Sequence, residues 1–282
     1  MKTLLRCIFV LMTAASVALC AQSVVQVFLN ETMLDQVGLK DDFTNDFDIS
    51  PSKLITLVAG NQLHLLGWGG LAPTAKRLPG HISSFAYTSD GLLFVISSDN
   101  LGFVNKEGSF EQVFKLPSSG MKISGGKDRM YLYEQNPSGT NSLYAYFKGR
   151  KCVKLVESPE PIRSVSEMSN TIYYATGKAI FRFELGKKLQ MALGAPGKDV
   201  IESVAADPET GALYFSAGGS VYSLTDETVT TVTRQTGGLL KYRTGTLFIF
   251  NATNRFLVGI SSTEGRRNVS PKRLGSRLDM RH

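Results

Sequence analysis

The chain has 282 residues, of which 43% are hydrophobic, and this is enough to bury the core of one sizeable domain. The formal net charge of +7 is concentrated at the two ends, with Lys2 and Arg6 in the first segment and six basic residues against Asp279 in residues 266–282. The body between the ends is close to neutral, which excludes a uniformly basic surface of the kind that binds nucleic acid.

Residues 1–21 have the layout of a secretory signal peptide: a short basic start, an apolar run and small residues near the end. We expect cleavage after Ala21. The apolar run is marginal for the roughly 20 residues of a membrane span, so no transmembrane helix is expected after cleavage. A lipid anchor at Cys20 is the alternative, although Leu19 is bulkier than a lipid-attachment motif prefers. The sequence therefore predicts a secreted, periplasmic or cell-envelope protein.

Removal of the leader leaves Cys152 as the only cysteine, so an intrachain disulfide is excluded. The alternation in KCVKLV places Cys152 with the buried face of a strand, and we expect a structural thiol.

Residues 22–53 divide into a β-type run, SVVQVFLN, and an acidic stretch that contains Asp41, Asp42, Asp46 and Asp48. A calcium loop needs regularly spaced oxygen ligands and a turn glycine. Here the spacing is irregular and the glycine is missing, so the acidic stretch is predicted to be a solvated linker.

Residues 54–263 repeat a phrase in which a turn precedes a large apolar residue and an aromatic or apolar pair. Its six copies contain Leu63, Leu93, Met130, Ile172, Leu213 and Leu247. Separations of 30 to 42 residues and four short strands per repeat predict a blade of a propeller. The sixth repeat lacks a fourth strand, which SVVQVFLN can supply. We therefore predict an all-β, six-bladed β-propeller of four-stranded blades, with the ring closed by the N-terminal strand; five or seven blades remain possible if the first repeat is misassigned.

The predicted innermost strands share a small-residue phrase, as in Ile82-x-Ser84-x-Ala86 and Ile201-x-Ser203-x-Ala205. Small residues fit where strands crowd a central channel. Together with D-x-x-G-x-L-[YF] turns and S-[VI]-Y-[SR]-L strands, this phrase resembles the six-bladed propellers of the NHL-repeat and gluconolactonase-like superfamily. The resemblance implies a possible divalent metal at the channel mouth, held by a glutamate, two asparagine-type ligands and an aspartate. Only Glu202 matches an acid at a strand start, so no catalytic or metal residue is carried over.

Ligands of propellers usually meet the loops that enter the innermost strands and the loops that join the second and third strands. The first set supplies Lys122, Arg163, Glu202 and Lys241, a combination that favours an anionic group. The second set supplies Trp68, Asp99, Asn100, Glu134, Asn136 and Lys178. Trp68 lies between glycines and is either an exposed platform for a sugar or peptide or a packing residue. Ordinary solvated turn charges are the alternative for the rest.

The sequence contains no nucleophile elbow and no histidine pair at metal-ligand spacing. We therefore predict a non-enzymatic binding or scaffold module for a protein or glycan partner, without a cofactor. The alternative is a metal-dependent hydrolase of the gluconolactonase type, with Glu202 at the channel mouth. The basic tail, residues 264–282, is expected to be disordered and could attach the protein to an anionic surface.

Overall fold

The computed structural model describes residues 23–36, 39, 43–67, 74–105, 107–147, 152–185, 189–194, 199–226 and 228–262. The predicted signal peptide with Cys20, the predicted basic tail and Trp68 lie outside these residues. Within them, no helix is long and apolar enough to cross a membrane.

Twenty-four strands and one short helix make up the described structure. The chain begins with strand β1 (Ser23–Leu29) and helix α1 (Glu31–Gln36). The first blade consists of β2 (Phe43–Ile49), β3 (Leu54–Ala59), β4 (Gln62–Gly67) and β5 (Thr74–Arg77). The second consists of β6 (Ile82–Tyr87), β7 (Leu93–Ser97), β8 (Asn100–Val104) and β9 (Phe110–Lys115). The third consists of β10 (Lys122–Gly125), β11 (Arg129–Tyr133), β12 (Asn141–Phe147) and β13 (Val153–Ser158).

The remaining blades follow the same order. The fourth consists of β14 (Ser164–Met168), β15 (Thr171–Ala175), β16 (Ala179–Glu184) and β17 (Leu189–Gly194). The fifth consists of β18 (Ile201–Ala206), β19 (Leu213–Ala217), β20 (Ser220–Thr225) and β21 (Thr228–Thr233). The sixth consists of β22 (Leu239–Arg243), β23 (Thr246–Asn251), β24 (Phe256–Ser262) and, as its outermost strand, β1.

The predicted all-β, six-bladed propeller of four-stranded blades is confirmed. Strand β1 pairs antiparallel with β24, from Ser23 opposite Ser262 to Leu29 opposite Leu257. The first and last parts of the described chain thus share one sheet, and this pairing closes the ring as the sequence predicted. A closed ring leaves no open blade face, because every blade lies between two others.

The first blade differs from its predicted assignment in two respects. Residues 43–49, predicted as part of the acidic linker, form β2, the innermost strand of this blade. Leu63 lies in the third strand, whereas the other five copies of the repeated phrase lie in second strands. The prediction failed because aspartates are rare in strands, so β2 resembles a loop, and because the true second strand, LITLVA, contains no aromatic residue.

Apolar residues are buried between blades rather than within one core. Each of the six buried clusters joins residues of two neighbouring blades. In the second blade, every residue of β7 is buried, because that strand packs against a neighbour on both faces. The outermost strand β21 is exposed along most of its length. This is why the second strands have continuous apolar sequences and the outer strands do not.

Short side chains of the innermost strands hydrogen-bond to the backbone of the next blade. Five successive junctions between blades carry such a bond. At four of them the side chain accepts from a backbone N–H: Asp48 Oδ2 from Tyr87 N (2.8 Å), Ser84 Oγ from Ile123 N (3.2 Å), Ser164 Oγ from Val204 N (3.1 Å) and Ser203 Oγ from Leu240 N (3.0 Å). At the fifth, Ser124 Oγ donates to Val165 O (2.7 Å). The predicted small residues therefore do more than fit a narrow space, because they satisfy buried backbone groups from blade to blade.

Arg255 fastens the N-terminal helix to the last blade. Its guanidinium donates to the Asp35 carboxylate (2.8 Å) and to the Leu39 carbonyl (2.6 Å), and Glu31 lies 3.4 Å away. Leu34 and Leu39 are buried beneath it with Phe47 and Phe250. The junction between the first and sixth blades is thus held by both apolar packing and a charged clamp.

We expect Ser203→Ala to lower the free energy of unfolding by about 1–3 kcal/mol, because it leaves the buried Leu240 N–H without this acceptor. Ser138→Ala, at an exposed turn, is the matched control and should change stability by less than about 0.5 kcal/mol. Urea unfolding monitored by far-ultraviolet circular dichroism measures the stability of both variants. Equal effects would show that the inter-blade bond contributes nothing.

We expect Arg255→Met to destabilise the fold by about 2 kcal/mol, since charge-assisted hydrogen bonds contribute about 1.5–3 kcal/mol. Arg182→Met is the control, because the Arg182 side chain is 42% exposed, against 18% for Arg255, and ion pairs of exposed side chains such as its pair with Glu184 (2.7 Å) contribute about 0–1 kcal/mol. Thermal unfolding of the three proteins tests the clamp. A loss for Arg255→Met no larger than that for the control would contradict its role in ring closure.

Candidate functional site

Two of the four residues predicted at the entrance to the innermost strands, Lys122 and Lys241, lie near enough to one carboxylate, that of Asp46, to attract it. Lys122 begins β10 and Lys241 lies in β22, and both attract Asp46 of β2. Ser84 of β6 donates to Asp46 Oδ2 at 2.8 Å. Four innermost strands therefore contribute side chains to one cluster near the ring axis, because strands of non-neighbouring blades approach each other only there. We call Asp46, Ser84, Lys122 and Lys241 the channel-mouth cluster.

Burial raises the pKa of Asp46 above its usual value, and this is the largest influence on it. Attraction by Lys241 and Lys122 and the hydrogen bond from Ser84 oppose the rise, while the nearby Asp48 adds to it. The cluster therefore contains one carboxylate that burial disfavours as an anion and two ammonium groups, so its charge is net positive.

Lys122 is held in place at the mouth. Its Nζ donates to the Ser83 carbonyl of the neighbouring blade at 2.7 Å. Its cross-strand partner is Tyr133, whose pKa is raised by burial and by the Asp46 carboxylate. The phenol can therefore donate or accept a hydrogen bond beside Lys122.

The other predicted residues lie elsewhere. Arg163 is exposed and its Nε lies over Gly177 of the same blade. Glu202 is exposed and is skipped in the pairing of β18 with β19, where Ile201 faces Ala217 and Ser203 faces Ser216. Neither joins the channel-mouth cluster, and Trp68 is outside the described residues.

Four residues of the second predicted set have local structural partners. Asn100 Nδ2 donates to the Ser98 carbonyl (3.0 Å), and Asn136 Oδ1 accepts from Ser138 N (3.1 Å). Glu134 accepts from Ser118 Oγ (2.6 Å) and from Ser142 N (2.7 Å), which fixes a turn of the third blade. Lys178 pairs with Glu160 at 2.5 Å. These local partners favour the interpretation of Glu134 and Lys178 as ordinary turn charges over their interpretation as ligand-binding residues.

Asp46 is the residue of the cluster that the sequence analysis assigned to a linker. The alternation of β2, with Phe47 and Ile49 buried on one side and Asp46 and Asp48 on the other, is the signal that could have identified it. Asp48 cannot serve a ligand in the same way, because its two oxygens accept from Ile49 N (2.8 Å) and Tyr87 N (2.8 Å).

The channel-mouth cluster does not fit the divalent cation that gluconolactonase-type propellers would place there. A hard cation needs several oxygen ligands, and here the single available carboxylate faces two ammonium groups. Nowhere in the described part of the chain do three or more His, Cys, Asp or Glu residues gather in a way that could hold a metal ion.

Cys152 lies just before β13 and is half-buried against the cluster shared by the second and third blades. Burial raises the pKa of its thiol to about 11. A thiol with this pKa is protonated at neutral pH and a poor nucleophile, which agrees with the predicted structural role.

No family model matches the chain, and no curated protein matches it in sequence. Among solved structures, the fold is similar to a gluconolactonase from Xanthomonas campestris, with 11% identity, a TM-score of 0.66 and coverage of 87% of this chain and 93% of that one. A calcium-binding regucalcin from Agrobacterium tumefaciens gives 16% identity, a TM-score of 0.61 and coverage of 77% and 89%. An auxiliary nutrient-binding protein from Bacteroides thetaiotaomicron gives 12% identity, a TM-score of 0.57 and coverage of 85% and 76%. At these identities the comparisons show the fold alone.

We expect Asp46→Asn to change stability in a pH-dependent manner. Because the pKa of Asp46 is raised in the folded state, the folded chain holds this proton longer than the unfolded chain. The natural protein therefore loses stability as pH rises from about 4, the unfolded value, through the raised pKa. Asp46→Asn removes this loss, so the melting temperature of the variant relative to the natural protein should rise with pH.

Differential scanning fluorimetry between about pH 4 and pH 8 measures this difference, starting near the unfolded pKa of aspartate. Asp128→Asn, at an exposed carboxylate, is the control and should give a difference that does not rise in this way. A difference for Asp46→Asn that stays constant or falls with pH would contradict the burial cost of this carboxylate.

Proposed function

We propose that the chain is an exported, non-enzymatic binding module whose channel mouth receives an anionic group of a protein or glycan partner. The observation that carries the proposal is the convergence of Lys122 and Lys241 on Asp46. Two lysines against one aspartate leave the channel-mouth cluster with an excess of positive charge. Such a site favours carboxylates or sulfates, which accept charge-assisted hydrogen bonds.

Similarity to a nutrient-binding propeller supports a binding role only by analogy of fold. The chemistry of the mouth supports it more directly. A module of this kind needs rigid strands that hold a few charged groups in fixed positions, and the inter-blade hydrogen bonds provide that rigidity.

The competing hypothesis is a metal-dependent hydrolase that uses Glu202. Its support is the similarity of the fold to a gluconolactonase. Against it, Glu202 is exposed, is bulged out of the strand pairing and does not join Asp46, and the cluster that does form carries two cations.

Export and attachment remain predictions from the sequence, since residues 1–21 and the basic tail lie outside the described structure. We propose a soluble exported form, with a lipid anchor at Cys20 as the alternative and the tail as an electrostatic contact to an anionic surface. Mass spectrometry of the mature N-terminus decides between cleavage after Ala21 and lipidation of Cys20.

The double change Lys122→Met and Lys241→Met should weaken binding to an anionic ligand roughly tenfold or more, because it removes two charge-assisted hydrogen-bond donors. Fluorescently labelled polygalacturonate and polyglutamate are suitable probes of glycan and protein character, and anisotropy titration of the full chain gives the dissociation constants. The control is the double change Lys154→Met and Lys178→Met, which also removes two lysines, both of them exposed. Its net charge therefore equals that of the first double variant, and both variants keep the tail. Equal weakening by both pairs would show that only overall charge matters and would contradict a site at the channel mouth.

The hydrolase hypothesis is tested on the same preparation by elemental analysis after dialysis and by a sugar-lactone hydrolysis assay. About one divalent ion per chain, with activity lost in Glu202→Ala, would replace the binding-module proposal. A metal-free folded protein without lactonase activity supports it.

A further inference from the structure

Strand β1 closes the ring but leaves one of its own edges open. It pairs with β24 on one side and is the last strand of its sheet, so within the described residues its other edge has no neighbouring strand. An open edge presents a row of backbone N–H and C=O groups that can pair with a further extended chain. Native proteins commonly protect such edges with charged side chains.

Strand β1 lacks this protection. The outermost strands of the first three blades all carry charged residues, which are Lys76 and Arg77 in β5, Glu111 and Lys115 in β9, and Lys154 and Glu157 in β13. None of the seven residues of β1, SVVQVFL, is charged. The outermost strands β17 and β21 are also uncharged, so one half of the rim differs from the other.

The side chains of β1 add an apolar surface to the open edge. Val25 and Val27 are 63% and 58% exposed, the highest values of any large hydrophobic residue in the described part of the chain. They share one face of the strand, because side chains alternate along it. In β21, by contrast, threonines occupy four of the six positions, and Val229 is only 38% exposed. We call the outer edge of β1, with Val25 and Val27, the apolar edge.

The apolar edge is complementary to a second copy of itself. Two antiparallel copies of Ser23–Leu29 that overlap along their full length place Gln26 opposite Gln26, and Val25 opposite Val27 of the other copy. Directly opposite residues point to the same side of a sheet, so the four valines form one apolar patch. The two copies are related by a two-fold axis through the Gln26 pair, which is the commonest symmetry of soluble oligomers.

The charges at the two ends of the apolar edge also complement each other in this arrangement. Helix α1 follows β1 and carries Glu31 and Asp35, whose two charges exceed the single charge of Arg255 that contacts both. At the opposite end, Ser23 faces Ser262, the last described residue before the basic tail. Antiparallel pairing brings the acidic end of each copy to the basic end of the other. This favours a second copy over an unrelated apolar strand.

We propose that the chain forms a two-fold dimer through the apolar edge, in which the sixth blades of two copies join into one eight-stranded sheet. Two strands of seven residues form a small interface, of the class below about 1,200 Å² that is typical of transient association. We therefore expect a dimer in the micromolar range rather than an obligate one. Because β1 is an outermost strand, the interface lies at the rim and is independent of the ligand proposed for the channel mouth.

Sedimentation velocity of the full mature chain between about 1 μM and 1 mM tests the association, since a weak dimer dissociates within this range. We expect the mass to rise from that of one chain to that of two. The double change Val25→Lys and Val27→Lys should raise the dissociation constant at least tenfold, because it places lysines of the two copies opposite each other. The control is Val153→Lys with Val229→Lys, which adds the same charge at exposed valines of two other outermost strands and should leave association unchanged.

Disulfide cross-linking tests the register and does not depend on the lysine variants. Gln26→Cys should give a covalent dimer under mild oxidation, because directly opposite Cβ atoms lie about 4.5–5.5 Å apart, close to the spacing in a disulfide. Val25→Cys and Val27→Cys should cross-link when mixed but not when oxidised separately, since like positions are then diagonal neighbours about 7–8 Å apart.

The natural mature chain, with Cys152 alone, is the control for oxidation, and Val153→Cys on β13 is the control for an exposed edge. A chain that stays monomeric at every concentration would overturn the proposal. So would lysine variants of β1 that associate as the natural chain does, or a Gln26→Cys variant that cross-links no more than Val153→Cys.

Discussion

Five of the six innermost strands hydrogen-bond to the next through a short side chain that reaches a neighbouring backbone group. Asp48, Ser84, Ser124, Ser164 and Ser203 make these bonds at five successive junctions. At the sixth, Arg243 of the last blade lies 3.7 Å from Asp48 of the first. Since the strands that line the channel also carry its charged residues, the same bonds that hold the ring together set the positions of Asp46, Lys122 and Lys241. The positions of these charged residues therefore depend on the fit between blades.

Closure makes this fit cooperative. A blade alone would expose an apolar face on each side, and the six buried clusters exist only between blades. Strand β1 completes the last blade, and Arg255 fixes the segment that leads from it to the first blade. A loss at this one junction would loosen both ends of the channel, because the strands that carry Asp46 and Lys241 lie on its two sides.

The two ends of the channel differ in chemistry. At the mouth two lysines lie near one acid. A cavity of about 280 Å³ at the other end of the innermost strands is lined by two cations, two acids and an aromatic ring, which are Lys127, Arg243, Glu167, Glu209 and Tyr242. A ring of non-identical blades produces this difference, since each end collects single residues from several repeats that serve other purposes elsewhere. The two ends of the channel therefore differ in the charged and aromatic side chains that they present.

The sequence by itself determined the architecture, because turn residues and strand-length apolar runs are local signals. These signals predicted four strands per repeat, a period near 40 residues, inner strands with serines and a spare N-terminal strand. It also predicted Lys122 and Lys241 as entrance residues. It did not identify β2, whose aspartates oppose its strand propensity and are tolerated only because Ser84, Tyr87 and two lysines surround them. Nor could it pair Glu167 with Tyr131 or separate Glu202 from the channel. Those relations join residues of different strands and blades or depend on a bulge, so only the closed tertiary structure decided them.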